Sequence, residues 1–491
     1  MDIAVAVLAI ALTVDFSQET GKIRPELHSS GFGPQICSCP QSTIDDIRSM
    51  GFKSARTHDW ALLNKAERVC DYYHIFPLMH LDAKDPKNYV FGPTDYLLRR
   101  TREETGLDVF FRLGTSIEHS GPKVHFNTLI PEDFDKVAEV FAATIRHYNR
   151  GWADGYEWGI KYWELWNEPD GVNNMWCLPD GDLGVGDTAE ARAADQAARE
   201  ERRLELFARF FATCLKRIKG EFGDMVKVGG PALCSWRPTK PGRVGTSDYF
   251  RRLLAVCRDV GAAPDFISWH YYGNKPDDVI AAANRARKIC DEAGFPKCEL
   301  IVNEWHYLNV PWGKLRSADP KAKARVWTGP AAHNGIDSSC FNLTLLSKFQ
   351  SSKLDQAFYY GCSHMGSWGY KSEGGEKYKV YYGIKLFGEF VRGYPVLCAA
   401  SGADGVTVLS AKSADGARKA LLVTDYRSGL RELSVDIAGV APDAECTVIV
   451  HDYTRDVESA KLRLDGGRLV LPKRDANSAA FLVEFHDQVG E

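Results

Sequence analysis

Two short stretches carry the residue types that acid–base chemistry needs. Lys161-Tyr-Trp-Glu-Leu-Trp-Asn-Glu-Pro-Asp170 runs apolar and aromatic until it breaks on Asn167, Glu168 and Pro169. Cys298-Glu-Leu-Ile-Val-Asn-Glu-Trp-His306 repeats the arrangement, with Asn303 and Glu304 following Leu300, Ile301 and Val302. Each reads as a buried strand that brings a carboxylate, beside a side-chain amide, to its tip. Two such carboxylates can hydrolyse a glycosidic bond through an oxocarbenium-like transition state. One, protonated, helps the leaving oxygen depart, and the other, ionised, faces the anomeric carbon. For Glu168 alone the bland reading is that Pro169 opens a helix and the glutamate decorates its cap. The second strand-tip Asn-Glu, far downstream, makes that a minor reading.

Strand tips meet at one face when the strands are parallel, and parallel strands need crossover helices. From residue 28 to about 391 the pattern is strand, loop, helix, repeated. Strands are expected at 28–32, 52–57, 107–113, 161–168, 226–231, 265–270, 298–304 and 354–360, the sixth delivering His270 and Tyr272. Helices are expected at 43–50 with Thr43 as cap, 94–104, 131–147, 189–219, 248–260, 277–293, 331–350 and 382–391. Residues 60–93 form a long excursion with a helical piece at 61–73 and a strand-like run at 75–80, of a length that suggests a loop over the site. Eight alternations define the class as α/β and the fold as a (β/α)8 barrel over 28–393. After Pro395 short alternating strands separated by turn residues predict a β-sandwich over 394–491. Residues 1–27 hold a strand expected to join that sandwich: Ile3, Val5 and Val7 alternate with Ala, and Val14 and Phe16 continue the period.

Composition narrows the partners. At 491 residues with a net charge of −4, the chain has no basic field for nucleic acid. Its 13 cysteines are scattered singly apart from Cys37-Ser-Cys39, which is neither a disulfide framework nor a zinc site, and a reducing, cytoplasmic setting is expected. The apolar N-terminus lacks Lys and Arg, begins with an acid and is too short to span a bilayer, so neither a signal peptide nor a membrane partner is expected. A metal-dependent barrel hydrolase would draw on His58, His80, Asp82, His119, His270 and His306, but the sequence has no His-x-His or His-Glu-x-x-His spacing, and no metal or cofactor is expected. A catalytically silent carbohydrate-binding protein would keep aromatics without the paired acids. A homo-oligomer is compatible with the chain.

The chain resembles glycoside hydrolase family 39, in the clan of retaining (β/α)8 glycosidases. Trp163-Glu-Leu-Trp-Asn-Glu-Pro169 is similar to the acid/base signature at the end of strand four, and Ile301-Val-Asn-Glu-Trp305 to the nucleophile strand seven. Arg56-Thr-His58, Tyr89-Val-Phe-x-x-Thr-Asp95 and Asp265-Phe-Ile-Ser-Trp-His-Tyr-Tyr272 resemble further family segments, and Trp368 stands where the eighth-strand loop presents an aromatic. The resemblance implies Glu168 as acid/base, Glu304 as nucleophile and Asn167 on the hydroxyl next to the anomeric carbon. It also implies His58 and His270 on other hydroxyls, Tyr272 orienting Glu304, and Trp305 and Trp368 against the sugar. His58 and His270 can equally be structural histidines, and Trp305 and Trp368 core. Arg56 reads as an ion-pair partner that holds a glutamate ionised.

The implied activity is exo-acting β-xylosidase, with α-L-iduronidase, arabinofuranosidase or another exo- or endo-glycosidase as alternatives. For a uronate the candidate cations are Lys314, Arg316 and Lys371. The chain departs from the family pattern at Gly114-Thr-Ser116, where an aromatic follows strand three in the xylosidases, and at Asp59-Trp60, where a Gly is common. The acids that bond the sugar after strand eight have no clean counterpart beyond Glu373 or Glu376.

Overall fold

The computed structural model describes residues 12–31, 41–60, 68–116, 128–171, 175–179, 184–240, 243–315, 319, 321, 326–361, 368–372 and 374–486. Eight short strands close a parallel barrel in chain order: β2 (Ser29–Ser30), β3 (Ser54–Arg56), β4 (Asp108–Leu113), β5 (Tyr162–Leu165), β6 (Lys227–Leu233), β7 (Phe266–Gly273), β8 (Glu299–Tyr307) and β9 (Gln356–Tyr359). The crossovers carry α1 (Gln41–Met50), α2 (Gly92–Arg100), α3 (Phe134–Arg150), α4 (Ala189–Phe222), α5 (Thr246–Asp259), α6 (Pro276–Glu292), α7 (Ile336–Phe349) and α8 (Lys379–Gly393). The expected (β/α)8 barrel is therefore the observed one. No helix among the described residues is long and apolar enough to cross a membrane.

Period-two alternation along the strands sorts side chains between the barrel interior and the helical layer. Phe110, Phe266, Ile301 and Phe358, with Tyr162 against them, plug the lower interior. Two residues further along β5, β7 and β8, the inward positions become Glu164, Ser268 and Asn303, so the polar layer begins directly above an apolar floor.

Several local expectations are corrected. Thr43 lies inside α1 instead of capping it, and its hydroxyl accepts from Lys371 Nζ at 2.8 Å. Residues 75–80 form no strand: Ile75 ends the one-turn helix Tyr72–Ile75 and the chain then turns, leaving Leu78 exposed. Isolated from a pairing partner, that apolar run has no ladder to complete. The expected helix at 61–73 falls mostly on residues outside those described, as do Ile3, Val5 and Val7.

The second sheet has nine strands. β1 (Leu12–Lys22) pairs antiparallel with β10 (Val396–Ser401) and parallel with β13 (Ser434–Ala438). From β10 the order continues through β11 (Val406–Lys412), β12 (Arg418–Asp425), β17 (Ala479–His486), β14 (Glu445–His451) and β15 (Glu458–Arg463), while β16 (Arg468–Val470) flanks β13. Alternation gives this sheet two apolar faces: Leu421, Val423, Phe481 and Val483 enter the sandwich core, while Ala420, Leu422, Ala480 and Leu482 join the barrel's core. The latter face packs on α7, which is buried on nearly every side. Polar contacts fix the docking, with Arg427 Nε and Ser478 Oγ donating to Asp337 at 2.7 and 2.6 Å, and Ser339 Oγ bonding His451 Nε2 at 2.9 Å.

Candidate active site

The site is built on Arg56, which is fully buried at the end of β3. Its guanidinium donates to Glu164 Oε2 at 2.6 Å, Glu304 Oε1 at 2.8 Å and Asn167 Oδ1 at 2.7 Å, which ties β3 to β5 and β8. The other oxygen of Glu164 accepts from Ser268 Oγ and Asn303 Nδ2, both at 2.6 Å. Glu164 thus neutralises one face of the guanidinium with every oxygen bonded, the condition under which a buried charge is tolerated.

Glu304 reaches the interior through a bulge. Trp269 pairs with Val302 but His270 pairs with Glu304, so Asn303 is an extra residue in β8. In a regular strand Asn303 and Glu304 would face opposite ways. The bulge lets both point inward, a device common beside active sites. Tyr272 donates to Glu304 Oε2 at 2.5 Å, so both oxygens of this carboxylate hold hydrogen bonds. Burial raises its pKa, and Arg56 and the Tyr272 phenol pull against that rise by favouring the ionised form.

Glu168 is delivered differently. β5 stops at Leu165, and Trp166 (φ 74°) and Glu168 (φ 44°) then take left-handed conformations that non-glycine residues rarely adopt. Neighbours hold the turn in place: Trp166 N donates to Leu113 O, Glu168 N to Ala232 O, and Arg203 Nη2 to the carbonyls of Pro169 and Gly171. Gly114 makes room, since a Cβ there would stand 2.9 Å from Trp166 Cε3. Burial, then the negative charge of Asp170, push the Glu168 carboxyl up to about 7. Asp170 is itself buried, paired with Arg237 Nη1 at 3.0 Å and accepting from Cys234 N at 3.0 Å.

His270 stands between the two acids, its Nδ1 2.8 Å from Glu168 Oε1 and 3.4 Å from Glu304 Oε2. Burial lowers its pKa to about 4, which leaves a neutral imidazole near neutrality and leaves Arg56 as the cation beside Glu304. Burial first, then the cations around it, also keep His58 neutral; its Nε2 lies 3.7 Å from Glu304 Oε1. Among the described residues, His58 Nδ1 and His270 Nε2 have no hydrogen-bond partner. An oxygen of Glu168, a nitrogen of His270 and an oxygen of Glu304 lie within 4.8 Å of one another, a set that could also hold a cation. Arg56 occupies one Glu304 oxygen and Tyr272 the other, which disfavours that use.

The structure therefore brings together Arg56, His58, Asn167, Glu168, His270, Tyr272 and Glu304. Trp368 stands beside them, its ring 5.7 Å from Tyr272 and 4.9 Å from both His306 and His333. Trp305 is the correction: past the bulge it faces away from the barrel interior, only 1% exposed, with its ring against Phe349 of α7 and Tyr359. Asp95 bonds His147 and Tyr148, anchoring α2 to α3. Lys371 lies 3.5 Å from Asp46 Oδ2, Lys314 and Glu376 are exposed, and Arg316 and Glu373 fall outside the described residues.

The structure places the residues at which the sequence departs from the pattern it resembles. Asp59 adopts φ 56°, where glycine is favoured, and Ser116 is committed to a buried network in which it and Arg112 both donate to Asp71. Sequence reasoning missed Glu164, Ser268, Asp170 and Cys234. For Glu164 the signal was present, a charge inside an otherwise apolar strand.

No protein-family model and no curated protein matches the sequence. Among solved structures, the chain is similar to a glucosidase from Croceicoccus marinus at 19% identity and a TM-score of 0.70, over 98% of this chain and 99% of that one. It is also similar to a thermostable alpha-L-arabinofuranosidase from Thermotoga petrophila at 12% identity and TM-score 0.62, over 97% and 100% of the two chains. A third likeness is to CelM2, a bifunctional glucanase-xylanase from a metagenome library, at 12% and 0.61 over 97% and 99%. At these identities the likeness supports the architecture alone, barrel and appended sandwich alike, over 97–98% of the chain.

Proposed function

We propose that this chain is a retaining glycoside hydrolase that works by double displacement, with Glu304 as nucleophile and Glu168 as acid/base. The observation that carries the reading is the pair of carboxylates with oxygens within 4.8 Å in unlike surroundings. So close an approach of one oxygen from each group fits the retaining separation of about 5–5.5 Å between carboxyls better than the gap of about 6.5–9.5 Å that inverting enzymes keep for a water. Glu304, held by Arg56 and Tyr272, attacks the anomeric carbon while the proton on Glu168 passes to the leaving oxygen. Glu168, now ionised, then takes a proton from the water that releases the sugar from Glu304. Because Asn167 Oδ1 is taken by Arg56, its amide nitrogen is the group left to donate to the hydroxyl next to the anomeric carbon. His58 and His270 serve further hydroxyls, and Trp368 supplies the stacking surface.

A β-xylosidase-like exo activity is the first reading of the substrate. An α-L-iduronidase would need a free cation for the uronate: Lys371 is engaged with Asp46 and Thr43, whereas Lys314 is exposed, so iduronides are kept among the substrates tested. The test is a panel of aryl glycosides differing in sugar and anomer, xylosides, glucosides, arabinofuranosides and iduronides among them. The anomer released first is then read by proton NMR. Retention is expected, and release of the inverted anomer would overturn the mechanism.

A further inference from the structure

Half of the twelve tryptophans are core: Trp60, Trp163, Trp166, Trp176, Trp269 and Trp305 are fully buried. Trp312 is 54% exposed, on the one-turn helix Trp312–Leu315 that follows the strand carrying Glu304. Its ring meets Tyr272 at 5.0 Å and 63°, and Trp368 at 5.5 Å and 38°. Glu304, Tyr272 and Trp312 thus form a continuous line of contacts from the buried floor to solvent. An indole left half bare, contiguous with a site and tilted against a second indole, offers a flat apolar face to a ligand ring. Resting on the glycosidase reading above, we infer that Trp312 is a stacking platform at the rim for the ring of the leaving group. That ring is either the C–H face of a second sugar or an aryl group. The cleaved sugar occupies the depth against Glu304, so the group that departs is the one that passes the exposed indole.

The test compares leaving groups that carry a ring with one that does not. For Trp312→Ala, kcat/KM is measured on xylobiose, nitrophenyl β-xyloside and β-xylosyl fluoride, and on the glucosyl counterparts. This ratio reports steps through departure of the leaving group. The ratio of ring-bearing substrate to fluoride should fall about tenfold, with Trp312→Phe recovering part of it. A fall with xylobiose alone assigns the platform to a sugar ring, and a fall with the aryl glycoside alone to an aryl ring. Trp327→Ala is the control: that indole is 37% exposed and packs on His333, and its loss should leave the ratio unchanged. Equal losses on all substrates, or no loss on any, would overturn the inference. Parent protein inactive on these substrates and on the whole aryl glycoside panel would instead sink the glycosidase reading itself.

Discussion

Glu168 and Glu304 are the same side chain, and what each touches separates them. Burial raises both carboxyls, but Arg56 and Tyr272 favour the ionised form of Glu304, whereas burial, then the charge of Asp170, pushes Glu168 up to about 7. If Glu168 is the acid, kcat/KM should fall as pH rises through about 7, because the proton to be donated is lost. Asp170→Asn removes a negative charge that raises this pKa and leaves Arg237 without its partner, and both effects favour the ionised form. The alkaline limb should therefore move to lower pH by about one unit, and an unmoved limb would contradict the assignment. Stability carries the same signature. A carboxyl raised in the folded state stabilises fully below its unfolded value of 4.5, and that contribution is lost as pH rises through about 7. Glu168→Gln, which cannot ionise, should match the parent near pH ~4 and exceed it by on the order of 3 kcal/mol near pH ~9, as read by denaturant titration. Both glutamates were legible in the sequence because each follows an apolar strand. Asp170 and Cys234 were not, since their contacts to one another cross between strands.

Backbone irregularities place the site more than the regular elements do. The bulge at Asn303 turns Glu304 inward, and the left-handed residues Trp166 and Glu168 turn the chain after β5. Gly114, at φ 131° and under Trp166, is the residue that permits the second. Gly114→Ala should cost about 3 kcal/mol through strain and the clash with Trp166. It should also lower kcat on the panel substrate more than that loss of stability explains at temperatures well below melting. Periodicity reveals a strand and its inward face, which is why the order of strands and helices could be read. A bulge leaves no such trace, because it breaks the period it would be read from, and the placement of Trp305 against the sugar failed there.

On the scale of the whole molecule, the second sheet serves as the outer wall of α7. Ala420, Leu422, Ala480 and Leu482 supply that wall, and Arg427 joins Asp337 at its edge. A chain ending at residue 393 should therefore aggregate, because it would bare α7 and strip β1 of its partner β10. Arg427→Ala should lower the melting temperature by on the order of 3 °C while leaving the apparent KM of the parent intact. Strand alternation made both sheets legible. The depth of the contact between them was not, because α7 buries the polar Ser338, Asn342 and Ser347, residue types that ordinarily mark the solvent face of an amphipathic helix.

Trapping the covalent intermediate tests the central claim most directly. A glycoside with fluorine in place of the hydroxyl next to the anomeric carbon slows both steps, while a good leaving group still lets the first proceed, so the glycosyl-enzyme accumulates. With the sugar that the panel turns over, mass spectrometry of the digested protein should place the label on the peptide containing Glu304. A label on Glu168, or release of the leaving group with no covalent adduct, would contradict the assignment.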